Sequence, residues 1–328
     1  MSEVLKVNNL SFNYNNQNYF KGIQNASLEL NKGEVLVLLG KSGSGKTTLI
    51  KCIYGLEDIV EGEVLIEKEK VLGPAYNLIP GHKKMGLVSQ DFYVLDNHTV
   101  EENIKDKLIG YTNEAKQKRA GQLLKLLELT RLTNTRARNL SSGQKQRVAI
   151  ARALAIIPKV LLLDEPFSNL DKLLTDKLFA FVIKEVKKNK TSVILITHLA
   201  EEALKYADRI GIIDNGKIVQ LGEKWNVYYK PKNTKLAGLL GDYNIVRKED
   251  FEKSSQAKVK SKTILRPDKI NFNTSKSSLK LPVTITHCCF NGKCYELLAE
   301  TINGNSLILY SGKIITENSK ITAWAQID

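Results

Sequence analysis

Long apolar runs are missing from this 328-residue chain. Runs such as Val35–Leu39 and Val160–Leu163 have the length of strands, whereas a membrane-crossing helix needs about 20 consecutive apolar residues. The first residues, Met-Ser-Glu-Val-Leu-Lys, also lack the apolar core of a signal peptide. Both absences lead to the expectation of a cytoplasmic protein. Cysteine is scarce: Cys52, Cys288, Cys289 and Cys294 are too few and too unevenly placed for a disulfide framework. The cluster His287-Cys288-Cys289 with Cys294, flanking an Asn-Gly turn, has poor zinc-ligand spacing, so these cysteines are expected to be buried in strands. Acidic residues are outnumbered, giving a net charge of +14. The lysines are scattered over 68–70, 83–84, 184–190 and 258–262 rather than gathered into one periodic stripe. That pattern reads as a solvated surface next to a membrane, with Lys83 and Lys84 as candidates for lying near lipid. No internal repeat is evident.

What is present is an alternation of strand and helix signals. Apolar and polar residues alternate through residues 3–30, Asn31-Lys32-Gly33 is a turn, and Val35–Leu39 is a buried strand. A helix is expected over Thr47–Tyr54. From about 95 to 140 the pattern becomes helical: Thr99-Val-Glu-Glu102 forms a capping box, and Leu123, Leu124, Leu126, Leu127 and Leu129 recur on an amphipathic face. Strands are predicted at 160–164 and 192–197, with helices at 144–156, 172–187 and 200–206. Such β-α alternation predicts a mainly parallel sheet covered by helices. Asp214-Asn215-Gly216 is a hairpin signal near the end of this part, which is closed at about residue 232. A linker is expected over 233–263, where 248–263 is charged and poor in apolar residues. From 264 onward short strand-like runs dominate: Leu281–Cys289, Cys294–Leu298, Ser306–Leu309 and Ile321–Trp324, separated by Gly-containing turns. They predict a small antiparallel barrel or sandwich.

The chemistry centres on Gly40-Lys41-Ser42-Gly43-Ser44-Gly45-Lys46-Thr47. Its glycines let the backbone bend and bring N–H groups against phosphate oxygens at a helix N-terminus, and Thr48 continues the run. Lys46 is the candidate for neutralising β- and γ-phosphate charge, and the Thr47 hydroxyl for ligating Mg²⁺. The strand Val160–Leu163 ends in Asp164-Glu165-Pro166. Asp164 is a candidate Mg²⁺ ligand at the carboxyl edge of the sheet, where ligands of such sheets collect. Glu165 is the candidate for polarising the water that attacks the γ-phosphate.

A second run, Leu140-Ser141-Ser142-Gly143-Gln144, resembles the signature of ATP-binding-cassette (ABC) ATPases, and residues 145–154 resemble the helix behind it. The chain is identified by this resemblance, close over residues 1–232, as an ABC cassette of the P-loop NTPase class. The fold so implied is α/β, with a mainly parallel core sheet, an antiparallel N-terminal β part and a helical subdomain at about 92–145. By resemblance Ser141, Ser142, Gly143 and Gln144 contact the γ-phosphate held by an opposite subunit. Serine at 142 departs from the usual glycine and puts close backbone approach in question. The resemblance further makes Gln90 the Q-loop glutamine near Mg²⁺, Ser168–Asp171 the D-loop, His198 the switch histidine touching the γ-phosphate, and Tyr14 the aromatic that stacks on adenine. Tyr19 and Phe20 nearby leave Tyr14 open to a core role. Residues 264–328, with Arg266-Pro267 and Phe290-Asn291-Gly292, look like the OB-like regulatory barrel of bacterial importer ATPases for sugars, polyamines, ferric iron and oxyanions.

These resemblances imply ATP and Mg²⁺ as ligands and a homodimer around two ATPs. They also imply separate integral membrane permease subunits, docked near the Q-loop and the insert at 95–140, and a substrate-binding protein, with the chain on the inner face of the membrane. An export ATPase, which normally lacks the barrel, is one alternative. Another is a soluble ABC ATPase acting on nucleic acid or ribosomes, since OB folds bind single strands. Against that one stand the single cassette, the lack of a charged coiled-coil insert, and a barrel without aromatics interleaved with basic residues. Direct nucleic-acid binding is not expected.

Overall fold

The alternating N-terminal residues form two long antiparallel strands, β1 (Glu3–Asn13) and β2 (Gly22–Asn31), with Val7 opposite Leu28. The structure is a computed structural model that describes residues 2–14, 22–167, 171–252, 259, 261–273 and 278–327. Ser168–Leu170, Tyr19 and Phe20 therefore lie outside the described residues. The described chain divides into two units, Met1–Lys224 and Trp225–Asp328.

In the first unit, β3 (Val35–Leu39) is buried along its whole length and runs into helix α1 (Lys46–Tyr54). The strands β4 (Glu61–Ile66) and β5 (Glu69–Lys70) complete a four-stranded antiparallel sheet in the order β2-β1-β4-β5. A second sheet is built from β3, β6 (Met85–Val88), β7 (Val160–Asp164), β8 (Ser192–Thr197), β9 (Arg209–Asp214) and β10 (Lys217–Glu223). Its order is β10-β9-β3-β8-β7-β6, parallel except for the edge strand β10. Every residue of β3, β7 and β8 is buried, as expected for parallel strands covered on both faces. A continuous apolar core including Leu10, Ile23, Leu36, Ile50, Leu162 and Ile196 joins the two sheets through α1.

Between β6 and β7 lies the helical insert: α2 (Val100–Lys105), α3 (Asn113–Leu126) and α4 (Ser142–Ala155). The Thr99 capping box forms, with both reciprocal bonds to Glu102 present. Asn103, fully buried, donates to the carbonyls of Leu95 and Thr99. Arg152 of α4 in turn donates to the Asn103 carbonyl and pairs with Asp106. A buried polar network therefore clamps α2 onto α4, and apolar packing alone would not specify that register. After β7 come α5 (Lys172–Asn189) and α6 (Ala200–Tyr206), flanking β8.

The second unit corrects the expected boundaries. The break falls after Lys224 rather than at 232, and residues 233–263 are not a plain linker. Helix α7 (Lys224–Tyr229) is followed by α8 (Thr234–Leu239), and β11 (Asn244–Arg247) pairs antiparallel with β12 (Lys262–Leu265). Charge in 248–252 obscured this strand pair, which is defined only by long-range pairing. The expected β part is a five-stranded antiparallel sheet, β13-β17-β14-β15-β16. Its strands are β13 (Ile270–Asn271), β14 (Ser278–Phe290), β15 (Tyr295–Thr301), β16 (Ser306–Ser311) and β17 (Lys320–Gln326). It is compatible with an OB-like domain, and its core includes Leu281, Ile285, Leu297, Leu309 and Ala323.

Arg266, 2% exposed, anchors this unit by donating to the carbonyls of Tyr228, Ala237, Gly241 and Asp242 and by lying over the Tyr228 ring. Arg266→Leu strips the donor from all four carbonyls and is expected to cost about 3 kcal/mol or more. Differential scanning calorimetry should show the C-terminal unit melting at least ~10 °C lower, and an unchanged transition would refute the anchor.

The cysteines depart from expectation. Only Cys52 is buried, and on α1 rather than a strand; burial pushes its thiol up to about 12. Cys288, packed against the core, and Cys294 are half-buried and Cys289 is exposed, because Cys288 and Cys289 are consecutive residues of β14 and face opposite sides of the sheet. Among the described residues no helix is long and apolar enough to cross a membrane, and no His, Cys, Asp or Glu group is placed to hold a metal ion by itself.

Candidate nucleotide site

The loop from Gly40 to Gly45 connects β3 to α1 because its glycines take conformations and contacts that other residues resist. Gly43 and Gly45 have φ of +76° and +102°, and a Cβ on Gly40 would fall 2.4 Å from the Ile213 carbonyl oxygen. The loop wraps the N-terminus of α1, where unpaired N–H groups and the helix dipole favour an anion. The Lys46 side chain is buried and donates to the carbonyls of Gly40 (2.9 Å) and Lys41 (3.0 Å). Burial lowers the pKa of its ammonium, while Glu165 and Asp164 pull in the opposite direction.

A cleft of about 940 Å³ opens over this loop and is lined by Tyr14, Ser42, Gly43, Gly45, Lys46, Thr47, Thr48, Gln90, Glu165 and His198. Gly40, Lys41 and Ser44 shape the loop from outside that lining. Tyr14, half-exposed, is hydrogen bonded through its hydroxyl to the Thr48 hydroxyl at 2.9 Å and stands edge-on to Phe12. It is thus neither a core residue nor loose. Gln90 is exposed directly after β6.

Asp164 ends β7, 1% exposed. Burial raises its carboxyl pKa, and a hydrogen bond from the Thr47 side chain opposes this. Its Oδ1 is buried with no hydrogen-bond partner among the described residues. A carboxylate oxygen so placed, next to a hydroxyl and one loop from a phosphate cradle, is a donor set that suits a hard divalent cation. Thr47 and Asp164 therefore fit Mg²⁺ chemically, and Gln90 shares the cleft with Thr47.

Glu165 follows in a left-handed backbone conformation, φ +45°, although it precedes Pro166. Such a residue stores about 1–3 kcal/mol of strain and persists only where its surroundings hold it. Its N–H donates to the Ile196 carbonyl at 3.1 Å. His198, just past β8, brings Nδ1 to 3.3 Å from Glu165 Oε1. Two parallel strands, β7 and β8, thus deliver an acid and a histidine side by side at the sheet's carboxyl edge.

The signature residues are elsewhere. Ser141 caps α4, with Gln144 completing the capping box, and Ser141 and Ser142 are exposed. Neither they nor Gly143 and Gln144 line the cleft. Ser142 is the first helical residue and has no positive φ, so its Cβ introduces no backbone strain. Of the D-loop, Asp171 is described and caps α5 by accepting from Leu174 N–H.

Four cleft residues escaped the sequence reading: Gly22, Gln24, Asn215 and Gly216. Asn215-Gly216 was legible as a hairpin turn, and both have positive φ. Its position against the loop was not legible: Gly216 N–H donates to the Ser44 carbonyl, and Gln24 N–H donates to the Gly216 carbonyl. Glu202 also went unread. It accepts a 2.6 Å hydrogen bond from the Thr197 hydroxyl, which itself accepts from Leu199 N–H, so α6 is tied to the strand end that carries His198.

Comparison with known proteins places the chain in a family. A family model described as ABC transporter matches residues 23–168. The Fe(3+) ions import ATP-binding protein FbpC 2 of Haemophilus influenzae is 34% identical over 324 residues, spanning 93% of this chain and 89% of that protein. This chain belongs to the ABC transporter ATP-binding family. The spermidine/putrescine import ATP-binding protein PotA of Thermotoga maritima is 37% identical over 235 residues, 71% of this chain and 63% of that protein. Among solved structures, the cassette MJ0796, a dimer in a post-hydrolysis state with ADP and Pi, is 30% identical with a TM-score of 0.60. It covers 67% of this chain, and 98% of its own length is matched. The family accounts for the P-loop fold and for ATP hydrolysis.

Proposed function

We propose that this chain is the ATP-hydrolysing subunit of a membrane importer, acting as a two-fold dimer with two ATPs at its interface. One observation carries the dimer: the cleft contains the P-loop, Glu165 and His198, whereas the signature stands at an exposed helix N-terminus outside it. A second copy would bring its Ser141–Gln144 to the first copy's γ-phosphate, and the two-fold axis would make the exchange reciprocal. Similarity to an iron(III) import subunit along 93% of the chain, C-terminal unit included, favours import over export.

In this reading the P-loop amides and Lys46 hold the phosphates, and Tyr14 stacks on adenine. Thr47, Asp164 and Gln90 hold Mg²⁺, which supplies charge neutralisation on the transferring phosphoryl group. Glu165 orients and polarises the attacking water, and His198, beside it, contacts the γ-phosphate. Catalysis is then positioning and electrostatics with little covalent work by the protein. ATP closes the dimer because its γ-phosphate touches both copies, and hydrolysis removes that bridge.

The work is delivered to separate permease subunits, with a substrate-binding protein outside, and the chain sits on the cytoplasmic face. Tyr93, Ile109 and Tyr111, on the Q-loop and insert, are exposed large side chains available to such a partner. The test is reconstitution in proteoliposomes with the membrane permease and substrate-binding protein that co-purify with this chain. ATPase activity should rise when loaded binding protein is added, and Ile109→Glu should remove the rise while leaving the permease-free rate intact. Activity indifferent to permease and binding protein would refute the importer assignment.

A further inference from the structure

Gln146 has no role in the reading above, yet it is fully buried two residues past the signature. Its Nε2 donates to the carbonyl of Pro166, and it lies on α4, whose N-terminus carries Ser141–Gln144. Pro166 directly follows Glu165. The left-handed backbone of Glu165 is thus held on both sides: by its own N–H donating to Ile196, and by the next carbonyl accepting from Gln146. The strand β7 ends at Asp164, and past the Glu165 N–H bond to Ile196 of β8 the strand pairing does not continue to Pro166.

We infer that Gln146 is a positioning residue for Glu165 of its own chain, holding the turn after β7 so that this carboxylate keeps its place beside His198. The inference rests on the proposed catalytic role of Glu165. It adds a connection within one chain: the helix that presents its signature to the partner's nucleotide is bonded to the turn that presents Glu165 to its own. The requirement is for a donor at this position, because the group facing it is a carbonyl. Methionine matches the length and burial of Gln146 but donates nothing. Glutamate matches its shape and can donate only when protonated, a state that burial favours as pH falls.

A dimer with one working pocket separates this role from support of the signature helix. Chain X carries Ser141→Arg and keeps its P-loop; chain Y carries Lys46→Ala and keeps its signature. The X–Y pair then has one intact pocket, built from the P-loop and Glu165 of X and the signature of Y. Loss of activity in this parent pair would refute the proposed shared pocket itself, before Gln146 is tested. Gln146→Met is then placed in X or in Y, each chain differently tagged and the pair isolated by sequential affinity steps.

In X it should lower turnover about tenfold to a hundredfold with ATP affinity within about twofold, as for a catalytic group displaced without loss of binding. In Y it should change turnover less than about twofold. An equal or larger loss from placement in Y, or no loss from either, would overturn the inference. Should the methionine variant fold poorly, Gln146→Glu in X supplies an independent reading. Its turnover relative to the parent pair should climb as pH is lowered from about 9 to about 6.5, and a flat ratio would overturn the inference.

Discussion

Glu165→Gln is expected to abolish ATP turnover, by about 10³-fold, and to leave a dimer that retains its nucleotide. The magnitude is that of removing a positioned general base, which contributes about 10²–10⁴-fold. Glutamine keeps the shape of glutamate and the backbone bond to Ile196, so the left-handed turn before Pro166 survives. What disappears is the negative charge 3.3 Å from His198 Nδ1, and with it the polarisation of water at the γ-phosphate. Lys46 and the loop amides are untouched, so ATP still binds. The bridging phosphate is no longer cleaved, so the two copies remain closed on it. Size-exclusion chromatography with bound-nucleotide analysis reads the result directly. A variant that is monomeric with ATP bound, or that turns over at the native rate, contradicts the role given to Glu165.

The second large effect concerns the shared pocket. Lys46→Ala and Ser141→Arg are each expected to be inactive alone: the first lacks the phosphate-binding ammonium, and the second blocks the exposed α4 N-terminus. Mixed in equal amounts, they should regain about one quarter of native activity, since about half of the dimers are mixed and each of those has one intact pocket of two. The Ser141 substitution also removes a helix cap worth about 1 kcal/mol, too little to unfold a domain of this size. Full activity of either variant alone, or no recovery in a mixture shown to contain mixed dimers, contradicts a pocket completed in trans.

Much of this architecture was legible before any coordinates. The strand Val35–Leu39, the glycine loop and the helix after it were read nearly to the residue, because glycine-rich turns and fully apolar strands have few conformational alternatives. The capping box at Thr99 and the Asn215-Gly216 hairpin were read for the same local reason. The failures share a different cause. Residues 244–247 and 262–265 pair across a charged stretch whose composition resembles a linker, and no local signal marks that pairing. The three clustered cysteines lie in strand-like runs and were expected to be buried, yet adjacent Cys288 and Cys289 must face opposite sides of the strand, and Cys289 is exposed. Gln146 reads as one polar residue in an amphipathic helix, and only burial against Pro166 distinguishes it.

The amino-acid sequence alone therefore determined the local elements and the chemical inventory: a phosphate cradle, an acidic strand end, a histidine and a helix behind a signature-like run. Each follows from sterics and periodicity over a few residues. The tertiary structure decided which of these groups meet. Glu165 and His198 lie 33 residues apart in the chain and become neighbours only because β7 and β8 are adjacent and parallel. Gly216 reaches the P-loop only because β9 pairs with β3 and turns back into β10. The same arrangement leaves Ser141–Gln144 outside the cleft, a separation set by strand order and helix placement, which depend on the whole core rather than on any one segment.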